Sequence, residues 1–310
     1  LKKTGLLFIF WFIFLSGICG KTAKTEYRVL RDLPYADTQN PKQTLDLVIP
    51  QGSSKKNGLP LVIWIHGGGW KNGNKGSGHR PDRLPALVET GRFAGATISY
   101  RLSGEAKWPT QIHDCKAAVR WLRGNSKKHG IDPERIAVWG SSAGGHLVSM
   151  LGSSGGVKEL EGKLGKHLDQ SSRVTAVVNY FGPSALLQMD DYPSKIVHNA
   201  PNSPESQLIG NPIQKSKTKA LQASPLHHVT PGDAPHIHFH GTNDPLVPFN
   251  QSGIYHAALK KAGVRSTLIT SSGGGHNMPG EFTSRFVIPF LDHTLHRKGK
   301  PTFDQTISPN

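Results

Sequence analysis

The stretch Trp139-Gly140-Ser141-Ser142-Ala143-Gly144-Gly145-His146 leaves a chain few ways to fold. The apolar run Ile136-Ala137-Val138-Trp139 has the length and composition of a strand covered on both faces, and Gly145 to Met150 suits a packed helix. Joining them at Ser142 requires a sharp turn, with strained backbone at the serine and small residues on either side. Glycine at 140 and 144 removes the Cβ atoms that would collide as strand and helix close on each other. Gly-x-Ser-x-Gly is common in glycine-rich loops, so its weight comes from the rest of the chain.

The rest supplies strands and helices in alternation. Strand-like runs lie at Tyr27–Leu30, Thr44–Val48, Leu61–Ile65, Ala94–Tyr100, Val174–Phe181, His236–His240 and Ser266–Thr270. Helices are expected at Pro81–Thr90, with proline in the first turn, and at Gln251–Ala262 and Glu281–Leu295. The clearest is Trp108–Lys128, where Ile112, Cys115, Val119 and Leu122 recur at three- and four-residue steps before Gly130 stops the helix. Ser184–Thr230 is the least regular stretch, with room for one or two helices and a flap. Such alternation predicts an α/β fold, a mostly parallel central sheet with helices on both faces. No linker composition divides residues 21–310, which are expected to form one catalytic domain.

The order of the remaining polar residues bears on chemistry. Acyl transfer by serine needs a nucleophile, a base, an acid that orients the base, and donors for the oxyanion. Asp244, in Gly241-Thr242-Asn243-Asp244-Pro245, directly follows the 236–240 strand and so falls at the carboxyl edge of the sheet. His276 follows the next strand on the glycine run 273–275. Alone, Asp244 reads equally as a turn aspartate and His276 reads better as a surface loop histidine; Ser142, Asp244 and His276 in that order read as nucleophile, acid and base. His66-Gly67-Gly68-Gly69 ends another strand, and backbone N–H groups of Gly68, Gly69 and Ala143 are the candidate oxyanion donors. His66 itself reads as an orienting loop residue.

His236, His238 and His240 share one face of a strand, which invites a metal reading. With no H-E-x-x-H or C-x-x-C pattern, the stronger expectation is buried, hydrogen-bonded histidines and no metal site. Dinucleotide and P-loop fingerprints are absent too, so no cofactor is expected.

The formal charge of +16, from 37 Lys and Arg against 21 Asp and Glu, raises the question of a polyanion partner. The charges are scattered rather than striped and no aromatic residues interleave with them, so no nucleic-acid partner is expected. At the N-terminus, Lys2 and Lys3 precede an apolar run from Leu6 to Leu15 and a small-residue exit at Ser16-Gly17-Ile18-Cys19-Gly20. The pattern is that of a secretory signal peptide over residues 1–20, shorter than the about 20 apolar residues of a membrane span. The expectation is a secreted or periplasmic protein, without stable membrane association after cleavage. Cys19 would leave with that segment, and Cys115 falls on the apolar face of its helix as a core thiol.

Taken together, His66-Gly67-Gly68-Gly69-Trp70, Tyr100-Arg101-Leu102-Ser103, Ile112-His113-Asp114-Cys115, Gly140-Ser141-Ser142-Ala143-Gly144, Gly241-Thr242-Asn243-Asp244-Pro245-Leu246-Val247-Pro248 and Gly275-His276 resemble an α/β-hydrolase of the hormone-sensitive-lipase-like group. Within it the chain looks most like the acetyl-xylan and feruloyl esterase branch (BD-FAE-like). The resemblance runs from about Leu45 to Leu291. It implies a serine carboxylesterase acting on short acyl esters, with a small ester or acylated polysaccharide as substrate. An amidase or peptidase of the same fold is the alternative. Two departures are His236 and His238, where apolar residues are expected, and Asn277-Met278-Pro279 after the histidine, where a small residue is more usual.

Overall fold

The computed structural model describes residues 24–52 and 58–308; the expected signal segment lies outside them. Among the described residues nine strands, β1 (Tyr27–Pro34), β2 (Thr44–Pro50), β3 (Leu59–Ile65), β4 (Ala94–Ile98), β5 (Ile131–Ser141), β6 (Ala176–Tyr180), β7 (His236–Gly241), β8 (Ser266–Ser271) and β9 (Gln305–Ile307), form one sheet in the order β1-β2-β4-β3-β5-β6-β7-β8-β9. Only the β1–β2 and β2–β4 pairs are antiparallel. This is the α/β-hydrolase fold.

The helices are α1 (Leu84–Val88), α2 (Thr110–Gly124), α3 (Ser126–His129), α4 (Ala143–Ser153), α5 (Lys158–Glu161), α6 (Pro204–Ile209), α7 (Lys217–Gln222), α8 (Asn250–Lys261) and α9 (Ile288–His296). Alternation along the central strands sorts them onto two faces. Leu61, Ile63, Ile65, Ile136 and Val138 join one core with Ile112, Cys115, Val119, Leu122, Leu147 and Leu151 of α2 and α4. Val62, Trp64, Ala137 and Trp139 join the other with Leu84 and Leu87 of α1 and Leu291 and Leu295 of α9. Both faces of β3 and β5 are thereby dry, which is why they read as unbroken apolar runs.

Three helices differ from the sequence expectation. The one placed at 81–90 shrinks to α1, and the proline at its start is Pro85 rather than Pro81. The long helix breaks after Gly124, where Asn125 turns its side chain back to donate to Trp121 O at 2.9 Å, competing with the backbone ladder. Gly130 does stop α3, in the left-handed region at φ 67°. The closing helix begins as a π turn at Thr283–Val287 before α9, whose Pro289 has no N–H to give the preceding turn. The short edge strand β9 escaped the sequence reading because three half-polar residues carry no periodicity.

Candidate active site

Ser142 sits between β5 and α4 with φ 56° and ψ −123°, a conformation that side chains rarely adopt. Its N–H donates to Tyr180 O at 2.8 Å, tying the turn to β6. Close approach explains the flanking glycines: a Cβ on Gly140 would meet Gly144 O at 2.5 Å, and one on Gly144 would meet Ile65 O at 2.1 Å. Ser142 therefore stands at the carboxyl edge of the sheet, next to the loop that leaves β3.

That loop carries His66-Gly67-Gly68-Gly69. Gly68 at φ 106° and Gly69 at φ 57° take backbone conformations open to glycine, and Gly68 O accepts from Lys71 N at 3.1 Å and Asn72 N at 3.0 Å. The N–H groups of Gly68, Gly69 and Ala143 find no protein acceptor among the described residues. His66 is buried, stacked on Tyr100 with ring centroids 4.3 Å apart, and its Nδ1–H donates to Gly67 O at 2.8 Å. Burial pushes it down to about 4, so it is neutral at pH 7. Trp70 Nε1 donates to His146 Nδ1 at 3.2 Å, and His146 Nε2–H donates to Ala223 O at 2.6 Å. The elbow helix thus holds both the glycine loop and the 184–230 segment.

Asp244 and His276 meet across two loops. Asn243 N donates to Gly274 O at 2.9 Å, and a Cβ on Gly241 would meet that same oxygen at 2.1 Å, so only glycine lets the loops touch. His276 Nδ1 lies 2.7 Å from Asp244 Oδ2, which directs its proton to the carboxylate and leaves Nε2 as the free nitrogen. Asp244 Oδ1 accepts from Leu246 N at 2.8 Å and Val247 N at 3.0 Å. Burial alone would raise this carboxyl; hydrogen bonds from His240 and His276, the charge of His276 and the Val247 N–H outweigh it and hold Asp244 well below the usual carboxylate range. Phe181 packs on the His276 ring, centroids 4.3 Å apart.

One cavity of about 510 Å³ is lined by Gly68, Gly69, Ser142, Ala143 and His276, with Asp244 behind the histidine. All six residues singled out from sequence are brought together. The sequence reading placed His240 among the buried strand histidines but missed its link to the site, Nε2 being 3.2 Å from Asp244 Oδ2, and it missed the wall contributed by Ile196, His198, Pro204 and Glu205. His240 precedes the Gly241 turn and could have been flagged by its place beside Asp244; the wall residues have no local signal.

The strand histidines are buried and bonded. His236 Nδ1 lies 2.7 Å from Ala234 O and its Nε2 3.2 Å from the Tyr255 hydroxyl; His238 stacks on His236, centroids 5.4 Å apart. Polar partners on α8 and in the 234 turn thus accommodate His236 in β7, whereas His238 is bonded through Nδ1 to Asn179 Nδ2 at 3.4 Å and its Nε2 has no hydrogen-bond partner among the described residues. Cys115 is buried among the apolar residues of α2, and burial pushes its thiol up.

With this geometry in view, comparison with known proteins gives a consistent result. The BD-FAE family model matches residues 45–259. The chain belongs to the BD-FAE family. Esterase LipC of Mycobacterium tuberculosis is 29% identical over 236 residues, 76% of this chain and 56% of LipC. A structure described as a truncated form of carbohydrate esterase from gut microbiota superposes with TM-score 0.78 at 30% identity, covering 89% of this chain and 98% of that one. Esterase 2 of Thermogutta terrifontis with butyrate bound gives TM-score 0.63 at 26% identity, covering 88% and 91%. The chain spans about half the length of the curated relatives it matches. BD-FAE membership covers the elbow, the glycine loop and Asp244; His276 lies beyond the matched residues.

Proposed function

We propose that this chain is a serine carboxylesterase that removes short acyl groups, acetyl or feruloyl, from carbohydrate. The observation that carries the reading is His276, hydrogen-bonded to Asp244 at 2.7 Å on one side and facing Ser142 across a shared cavity on the other. Ser142 Oγ attacks the ester carbonyl while His276 Nε2 takes its proton, and Asp244 stabilises the imidazolium that forms. The tetrahedral oxyanion is met by the N–H groups of Gly68, Gly69 and Ala143, free of other acceptors among the described residues. His276 then returns the proton to the departing alcohol, and water repeats the sequence on the acyl-enzyme. The cavity, of the size usual for small ligands, and the relatives named as esterases, one on carbohydrate and one with butyrate bound, support short acyl groups on sugar. An exported location, resting on the apolar run from Leu6 to Leu15, would bring it to such material.

The test is acetate release from acetylated xylan by the wild type and by Ser142→Ala, beside matched aryl esters and anilides. Release by the wild type alone supports the proposal. Faster anilide than ester cleavage would favour the amidase alternative, and activity retained by Ser142→Ala would remove the nucleophile.

A further inference from the structure

The cavity wall built by residues 184–230 holds two groups for which ester cleavage through Ser142 has no use. His198 and Glu205 both line the cavity and are 1% and 2% exposed. Their Nδ1 and Oε1 atoms are 3.0 Å apart, within ion-pair distance but not aligned as a hydrogen bond, so Nδ1 also lacks a hydrogen-bond partner among the described residues. His198 is held from behind, its N–H donating to Asp190 Oδ1 at 2.8 Å and its Nε2 lying 3.1 Å from Ser194 Oγ. The other carboxylate oxygen, Glu205 Oε2, is buried and hydrogen-bonds no group among the described residues. A buried acceptor left without a donor is costly, on the order of 1–3 kcal/mol or more for a charged group. In native proteins such an atom calls for an explanation, and a ligand that completes the set is one.

Its position says which ligand. Pro204, the residue before Glu205, packs on the glycine loop: a Cβ on Gly69 would meet Pro204 Cβ at 3.4 Å. An ester whose carbonyl oxygen is held at Gly68 and Gly69 therefore lies along this wall. The missing partner is a hydrogen-bond donor. Glu205 itself disfavours an anion there, while Lys71, Arg80 and Arg83 on the same cavity disfavour a cation. A neutral hydroxyl remains.

We propose that Glu205, positioned by His198, accepts a hydrogen bond from a free hydroxyl beside the scissile ester, so that the site selects partly acylated sugars over esters without that hydroxyl. The inference rests on the esterase reading above and assigns the specificity-determining residue within it. A site built to bond a hydroxyl rejects analogues lacking it, because its buried acceptor is then left bare.

Initial rates would be measured with phenyl acetate, with methyl 2-O-acetyl-β-D-xylopyranoside and with the 3,4-di-O-methyl ether of that xyloside. The wild type is expected to prefer the free-hydroxyl xyloside over its ether by about 100-fold in kcat/KM. In Glu205→Ala that ratio should fall by at least about tenfold. A ratio of two substrates does not depend on how much of the variant is folded. A wild type that cleaves both xylosides equally, or a variant that keeps the ratio as it would if Oε2 served only a bound water, overturns the inference while phenyl acetate cleavage leaves the esterase reading intact. Cleavage of none of the three by the wild type overturns both.

Discussion

His240 Nε2 lies 3.2 Å from Asp244 Oδ2, the oxygen that His276 Nδ1 reaches at 2.7 Å. One carboxylate oxygen thus sits between two imidazoles, only one of which faces the cavity. The buried ring of His240 is pinned by Ser252 Oγ at 2.8 Å on Nδ1 and by Val247 O at 3.0 Å on Nε2. Because a carbonyl only accepts, Nε2 carries the proton, and it is shared between Val247 O and Asp244. In the proposed triad His240 is a positioning residue for Asp244. Replacing it with Leu removes one charge-assisted hydrogen bond, and kcat is expected to fall about tenfold or more. KM should stay within about twofold, since substrate does not touch His240. Steady-state kinetics at pH 7.5 decides: a raised KM with kcat intact would refute the assignment.

The strained backbone at Ser142 separates stability from activity. Ser142→Gly keeps φ 56° and ψ −123° without a Cβ, so the chain should become more stable by about 1 kcal/mol while losing all serine chemistry. Ser142→Ala should lose activity without that gain. Urea unfolding of the two variants beside the wild type reads the difference, and equal midpoints for Gly and Ala would show that the elbow stores no strain.

Two glycine-to-alanine changes should have opposite signs. In Gly144→Ala the new methyl meets Ile65 O at 2.1 Å and His66 O at 2.7 Å, all backbone, so strand and helix must part. The expected loss is about 3 kcal/mol or more. Gly253 in α8 has nothing among the described residues within 4 Å of its Cβ position, so Gly253→Ala should gain roughly 0.5–1 kcal/mol. Thermal midpoints measured together check both.

Stability should fall on mild acidification. Burial pushes His146 and His236 from the ordinary 6.5 down to about 4, with their backbone hydrogen bonds offsetting only part. Between those values the unfolded chain binds protons that the folded one does not, so stability is complete above about pH 6.5 and is lost as pH falls toward 4. Each shift is worth up to roughly 3 kcal/mol. Asp244, depressed below its ordinary 3.8, adds a second loss in more acidic solution, because below about pH 4 the unfolded carboxylate takes up a proton that the folded one, paired with His276, does not. Urea midpoints at pH 7.5, 6 and 5 should decline in that order, and a flat series would mean that the buried histidines accept protons in place.

Much of this was legible in the chain itself because it was local. A strand–turn–helix packed through glycine must announce itself in adjacent residues, as at 136–150, and the apolar runs of β3 and β5 follow from burial on both faces. Asp244 and His276 stood out as candidates for a related reason: each follows a strand of a parallel sheet, whose carboxyl ends lie along one edge. Helix ends were read less well. Asn125 and Pro289 act through single hydrogen bonds, gained or missing, that leave the apolar period unchanged.

What the sequence by itself determined is therefore the scaffold and the order of the candidate catalytic groups, since strand burial, chirality of crossovers and glycine-only contacts are dictated residue by residue. Only the tertiary structure decided what surrounds those groups. The second imidazole on Asp244, the His146 links to Trp70 and Ala223, and the His198–Glu205 wall join residues far apart in the chain or on different loops. A stretch such as 184–230 has no period of its own because its side chains answer to a cavity rather than to a repeating face.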